Sequence, residues 1–148
     1  MSIKALVADI GGTNIRLGVA DLSDLSISNI ITYQCEDFAN VDLAIEKYFE
    51  QTGLSVTHAC IDVATAVTGD EVSLTNNHWC FSQKALREKF GWELLSVIND
   101  FTAIAMSVPS ISDDKKVQIG GGEAQVKKPI AIYGAGTGLG VAHLVHTG

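Results

Sequence analysis

Apolar and polar residues alternate with a period of two in three stretches near the start of the chain: 3–9 (IKALVAD), 14–20 (NIRLGVA) and 28–34 (SNIITYQ). That period predicts strands. A tight Gly11-Gly12 link joins the first two. From Asn40 the pattern turns helical. Val41, Ala44, Ile45, Tyr48 and Phe49 fall on one face, with Asn40 as N-cap and Gly53 as stop. Residues 57–64 predict a fourth strand, followed by a turn at Thr68-Gly69-Asp70 and a short strand over 71–74. Ser82 to Gly91 predicts a second capped helix, LLSVIND a further main strand, and FTAIAMSV a third helix stopped by Pro109. The order is three strands, helix, strand, helix, strand, helix, an α/β pattern.

Residues 110–128 are polar and glycine-rich and predict a linker or hinge. An apolar strand then starts at Pro129 and runs into GAGTGLG, and VAHLVH alternates like another strand. The expected organisation is a small lobe over 1–110, a hinge over 111–128, and the start of a second lobe over 129–148. That last stretch is too short to bury a core, so the chain is expected to be cut off within a domain.

Composition narrows the function. Of 148 residues, 47% are hydrophobic and 18% charged, a globular balance. Net charge is −7 and no basic run occurs, which argues against nucleic acid or an anionic membrane as partner. Cys35, Cys60 and Cys80 have no CxxC spacing, so neither a disulfide framework nor a thiolate metal site is indicated. No charged stretch followed by an apolar core opens the sequence and no apolar run reaches ~18 residues, so a reducing cytoplasm is the expected location. His58, His143 and His146 show no metal-ligand spacing.

Four motifs carry candidate chemistry. DIGGTN, residues 9–14, follows an apolar strand with what reads as a buried carboxylate, Asp9. It is not a dinucleotide fingerprint, because a strand follows it instead of a helix. Gly11 and Gly12 are expected to take positive φ and to admit a ligand close to the backbone, whose N–H groups can cradle an anion. Asp9 is placed to hold Mg²⁺ through water. A plain Gly-Gly hairpin is the alternative. YGAGTGLGV, 133–141, reads as a second phosphate loop, closing a nucleotide site from two sides, or as a glycine-rich hairpin. INDFTA, 98–103, puts Asn99 and Asp100 where a strand passes into a helix: a hydroxyl-orienting amide and a general base, or a helix N-cap pair. In TNNHWCF, 75–81, Asn76, His78 and Trp79 either line a sugar-sized pocket, or Trp79 and Phe81 fill core while the asparagines make a turn.

Taken in order, LVADIGGTNIRLGVAD, TGDEVSLTNNHWCFS, VINDFTAIAMSVP and KPIAIYGAGTGLGVAHLVH resemble bacterial glucokinases of the enteric type. That family has the actin, hexokinase and heat-shock-70 ATPase superfold. The resemblance implies a ribonuclease-H-like (actin-like ATPase) lobe, βββαβαβα, plus the first strands of a second lobe. It implies ATP-dependent phosphorylation of the 6-hydroxyl of D-glucose, with ATP and Mg²⁺. Ala8, Asp9, Ile10, Gly11, Gly12 and Thr13 resemble the ATP phosphate loop. Gly136, Thr137 and Gly138, within 134–140, resemble the second phosphate loop. Asn99 and Asp100 resemble the sugar-binding pair, with Asp100 the catalytic base. The family often has Gly where Ala8 stands and Pro where Ala66 stands. Its members are about twice as long, and the remaining sugar ligands, among them a Glu-Gly-Gly-His motif, and the adenosine pocket belong to the other half. Residues 1–148 alone are therefore expected to be inactive and to form a homodimer or self-associate. Two rivals are a sugar-sensing repressor, which would need a DNA-binding segment ahead of Asp9, and a non-catalytic actin-like ATPase module, which would not need Asn99 and Asp100.

Overall fold

The computed structural model describes residues 2–135 and 139–147. The chain divides into two compact units, Met1–Asp100 and Phe101–Gly148. In the first, β1 (Lys4–Ile10), β2 (Asn14–Asp21) and β3 (Ile27–Gln34) form an antiparallel meander. Helix α1 (Val41–Thr52) returns the chain to β4 (His58–Val63), which lies parallel to β1. A small ribbon, β5 (Glu71–Ser73) with β6 (Cys80–Ser82), leads into α2 (Gln83–Phe90), and β7 (Leu94–Asn99) pairs parallel to β4. The five-stranded sheet has the order β3-β2-β1-β4-β7. This mixed sheet fits the α/β pattern that the alternation predicts.

The helix boundaries have local causes. The Asn40 side chain accepts from the Val41 N–H at 3.0 Å, and Gly53 ends α1 at φ +66°. Ser82 Oγ accepts from the Ala85 N–H at 3.0 Å, and Gly91 ends α2 at φ +63°. Capping bonds of this kind contribute about 1 kcal/mol each, and the left-handed stops favour glycine. One face of the sheet is dry. Leu6, Ala8 and Ile10 of β1, Ala59, Ile61 and Val63 of β4, and Ala44, Ile45 and Tyr48 of α1 are all buried. Each large apolar side chain buried there contributes about 1.5–3 kcal/mol. Lys89 of α2 pairs with Asp42 and Glu46, tying α2 to α1.

Because β1, β4 and β7 run parallel, their C-terminal ends share one edge of the sheet. The β1–β2 turn and the residues that follow β4 and β7 gather there. Ligands of open α/β sheets bind at that edge.

The second unit holds most of α3 (Asp100–Ser107), which begins on the last residue of the first unit. The helix stops before Pro109, which lies in a 3-10 turn, Val108–Ser110. Every residue from 109 to 131 is exposed, with one further 3-10 turn, Asp113–Lys115. The chain then forms a two-stranded ribbon, β8 (Ile130–Ala135) with β9 (Leu139–Leu144). Tyr133, Leu139 and Val141 of this ribbon are largely exposed. A lone two-stranded ribbon with unpaired edges and apolar faces is marginally stable and adhesive. A polypeptide of residues 1–148 is expected to self-associate at micromolar concentration. Light scattering that shows a monomer over a wide concentration range would mean these surfaces are inert.

Candidate active site

The β1–β2 turn is built by strand alternation. Ala8 and Ile10 point into the core at 4% and 1% exposure, so they can offer a ligand only their backbone. Asp9 points the other way. Its carboxylate is mostly exposed, not buried as the sequence suggested, because alternation turns it away from the core face that takes Ala8 and Ile10. It lies across the ladder from Arg16, at 3.9 Å. Asp9, Gly11, Gly12, Thr13, Asn14, Arg16 and Thr32 line an open depression of about 400 Å³.

The glycines of this turn have a different reason from the one expected. Neither Gly11 nor Gly12 has positive φ. At Gly12 the constraint is space: a Cβ there would stand 2.7 Å from Cβ of Asn76 and 3.2 Å from its carbonyl oxygen. At Gly11 a Cβ would meet only the Asn14 carbonyl, at 3.5 Å. The backbone at 12 is glycine because another loop lies against it.

Asn99 ends β7, and Asp100 opens α3. The Asn99 amide donates to the Thr65 carbonyl at 3.2 Å, which fixes the side chain against the loop after β4. The structure adds a third carboxylate, Asp62, that reading the sequence did not single out. The parallel register sets Asp62 directly beside Asp9. Burial first, then the charges of Asp9 and Asp100 and a hydrogen bond with Asp9, push the Asp62 carboxyl up to about 7. Asp62, near the end of β4, thus sits within electrostatic reach of both Asp9 in β1 and Asp100 at the start of α3.

This has a measurable consequence for stability. The Asp62 carboxyl holds its proton in the folded chain well above pH 3.8, where the unfolded chain loses it. Folding then binds a proton, and stability falls as pH rises from about 4 through about 7. Asp62→Asn is expected to flatten that slope and to gain roughly 1–3 kcal/mol at pH 8, allowing for solvent screening of a half-buried group. Urea melts at pH 5 and pH 8 check it. Parallel slopes for the two proteins would mean Asp62 ionises normally.

The TNNHWCF segment divides between its two readings. Trp79 and Phe81 are core, at 1% and 6% exposure, and Phe81 lies in β6. The asparagines, however, abut the β1–β2 turn, as Gly12 and Asn76 show. In the second unit, Gly134 pairs with Gly140 across the ribbon. The candidate residues Gly136, Thr137 and Gly138 lie outside the described residues. The paired glycines have a packing role: a Cβ on Gly140 would stand 1.8 Å from the Phe101 ring and one on Gly134 2.4 Å from it. The ring of Phe101 lies flush against the ribbon because neither residue has a side chain. Among the described residues, no cluster of three or more His, Cys, Asp or Glu side chains could enclose a metal ion, and no helix is long and apolar enough to cross a membrane.

Comparison with known proteins bears on all of this. The sequence is 49% identical over 148 residues to a glucokinase of Tolumonas auensis, covering 100% of this chain and 46% of that protein. It is 52% identical over 143 residues to a glucokinase of Colwellia psychrerythraea, covering 95% of this chain and 43% of that one. The crystal structure of a glucokinase from an Antarctic psychrotroph matches with TM-score 0.90 at 35% identity, over 99% of this chain and 48% of that chain. The chain spans about half the length of the curated relatives it matches. The glucokinase family profile matches residues 6–148, the strand-end acids and the glycine turn included, and the chain belongs to the glucokinase family.

Proposed function

We propose that this chain carries the sugar-binding base and the first phosphate turn of an ATP-dependent glucokinase, which transfers a phosphoryl group to the 6-hydroxyl of D-glucose. The observation that carries the reading is the strand-end edge. There the Gly11-Gly12 turn and Asp9 stand at the end of β1, and Asn99 and Asp100 at the end of β7, one strand removed in the same sheet.

Asn99, held by the Thr65 carbonyl, orients the sugar as an amide that can both donate and accept. Asp100 takes the proton from the attacking hydroxyl. Backbone N–H groups of the turn and the Thr13 hydroxyl hold phosphate oxygens. Phosphoryl transfer needs positioning and charge stabilisation more than covalent chemistry from the protein, and this set supplies both. Mg²⁺ fits the donor set. One exposed carboxylate beside an open depression suits an ion that keeps most of its water and shares phosphate oxygens. Asp9 would hold it through water, and when bound it neutralises phosphate charge. Gly136, Thr137 and Gly138 are proposed as the second phosphate loop, on the resemblance alone. The domain scheme, a small lobe over 1–110 and a hinge over 111–128 leading to a second lobe, is part of the same proposal.

A coupled assay for glucose 6-phosphate on the protein of the relatives' full length tests the function. Turnover that requires both ATP and glucose supports it. ATP hydrolysis indifferent to glucose would favour an actin-like ATPase module that is not a sugar kinase.

A further inference from the structure

We propose that Asn77 and Cys35 are positioning residues for the phosphate turn: they draw the Gly11 carbonyl inward and so turn the Gly12 N–H outward as a fixed anion donor. This rests on the reading of the β1–β2 turn as phosphate-binding. The Gly11 carbonyl accepts from the Asn77 side-chain amide at 3.5 Å and from the Cys35 thiol at 3.7 Å. The Asn77 amide and the Cys35 thiol thus converge on one carbonyl oxygen. The Cys35 side chain is buried, and burial keeps it a protonated donor.

Both donors are braced from behind. Asn77 Oδ1 accepts from the Trp79 N–H at 2.7 Å. The Trp79 indole N–H donates to the Phe38 carbonyl at 3.1 Å, and the Phe38 N–H donates to the Cys35 carbonyl at 3.2 Å. The Cys35 N–H donates in turn to the Thr13 carbonyl at 2.8 Å. A circuit of hydrogen bonds therefore runs from the turn through the buried tryptophan and back to the turn.

The direction of the Gly12 N–H follows from peptide geometry. The 11–12 peptide is trans, since the described chain has no cis bond. In a planar trans peptide the carbonyl and the N–H point in opposite directions. A carbonyl held toward Cys35 and Asn77 sends the Gly12 N–H away from them, where Gly12 lines the depression. The Gly11 N–H is already engaged by the Asn14 carbonyl at 2.9 Å, so it is not the donor the turn offers, whereas the Gly12 N–H faces the depression. Were the plane to rotate, a carbonyl dipole would face the phosphate where a donor is needed.

The test is steady-state kinetics on the full-length kinase with Asn77→Ala, Cys35→Ala and Cys35→Ser, beside Gly12→Ala as a control. Losing a donor to the carbonyl is expected to raise the KM for ATP about tenfold in Asn77→Ala and about threefold in Cys35→Ala. The KM for glucose is expected to stay within about twofold. Cys35→Ser keeps a donor and restores the ATP KM. A merely structural role would move both substrates' constants together. Unchanged ATP KM in the Asn77 and Cys35 variants, with a raised value in Gly12→Ala, overturns this inference and leaves the phosphate-turn reading intact. Unchanged ATP KM in all four overturns both. If Asn77→Ala does not fold, the Cys35→Ala and Cys35→Ser pair decides: Ala raised and Ser restored supports the tie, and two wild-type values overturn it.

Discussion

Asp100→Asn in the full-length kinase is expected to lower kcat by about 10²–10⁴-fold, the usual contribution of a general base. Asparagine keeps the shape of the side chain and can still serve the first turn of α3, but it cannot accept the hydroxyl proton at neutral pH. The KM for glucose should change far less, because Asn99 and the amide at 100 still bond the sugar. A second readout does not depend on activity. The charge of Asp100 is one of the causes that raise the Asp62 carboxyl. Removing it should bring the Asp62 titration down, seen as a shift to lower pH of the decline in stability described above. Near wild-type turnover would reduce Asp100 to a helix-terminal acid.

What could be read from the residues, and what could not, divides along physical lines. Asn40, Gly53, Ser82 and Gly91 punctuate α1 and α2 locally, and the helices begin and end where those residues require. The β1–β2 turn was legible for the same reason: two alternating runs and a short glycine link admit little else. Strand β6 was missed because Cys80–Ser82 is too short to show a period, and only pairing with β5 makes it a strand. Asp62 was invisible for a deeper reason. Nothing in CIDVA marks it, and it matters only because the β1–β4 register sets it beside Asp9. The exposure of Asp9 likewise depends on which face of the sheet the helices cover. Alternation alone separates two faces without saying which is dry. Gly12 was singled out for a positive φ that it does not have. Local rules suggest φ, whereas the constraint comes from Asn76, sixty-four positions later in the chain. Reading Gly134 and Gly140 as phosphate-loop glycines also passed over their contact with Phe101.

That correction separates two neighbouring glycines in a way the sequence could not. Gly12→Val is expected to raise the KM for ATP by at least tenfold and to cost about 1–3 kcal/mol of stability, the range for overpacking. The new Cβ alone would stand 2.7 Å from Asn76 Cβ, a distance real Cβ atoms do not adopt, and the nearby Asn76 carbonyl adds a second obstruction. The turn must therefore move outward, into the depression where backbone is to meet phosphate. Gly11→Ala should do neither. Its Cβ would make an ordinary contact at 3.5 Å, and its φ is open to any residue. ATP KM within about threefold of wild type and a stability change within about 0.5 kcal/mol are expected there. Glucose KM should hold in both variants, since Asn99 and Asp100 lie on other elements. Had positive φ been the reason for the glycines, both substitutions would be damaging. Equal damage at 11 and 12 would return that explanation, and an unchanged ATP KM in a folded Gly12→Val protein would leave the turn with no part in nucleotide binding.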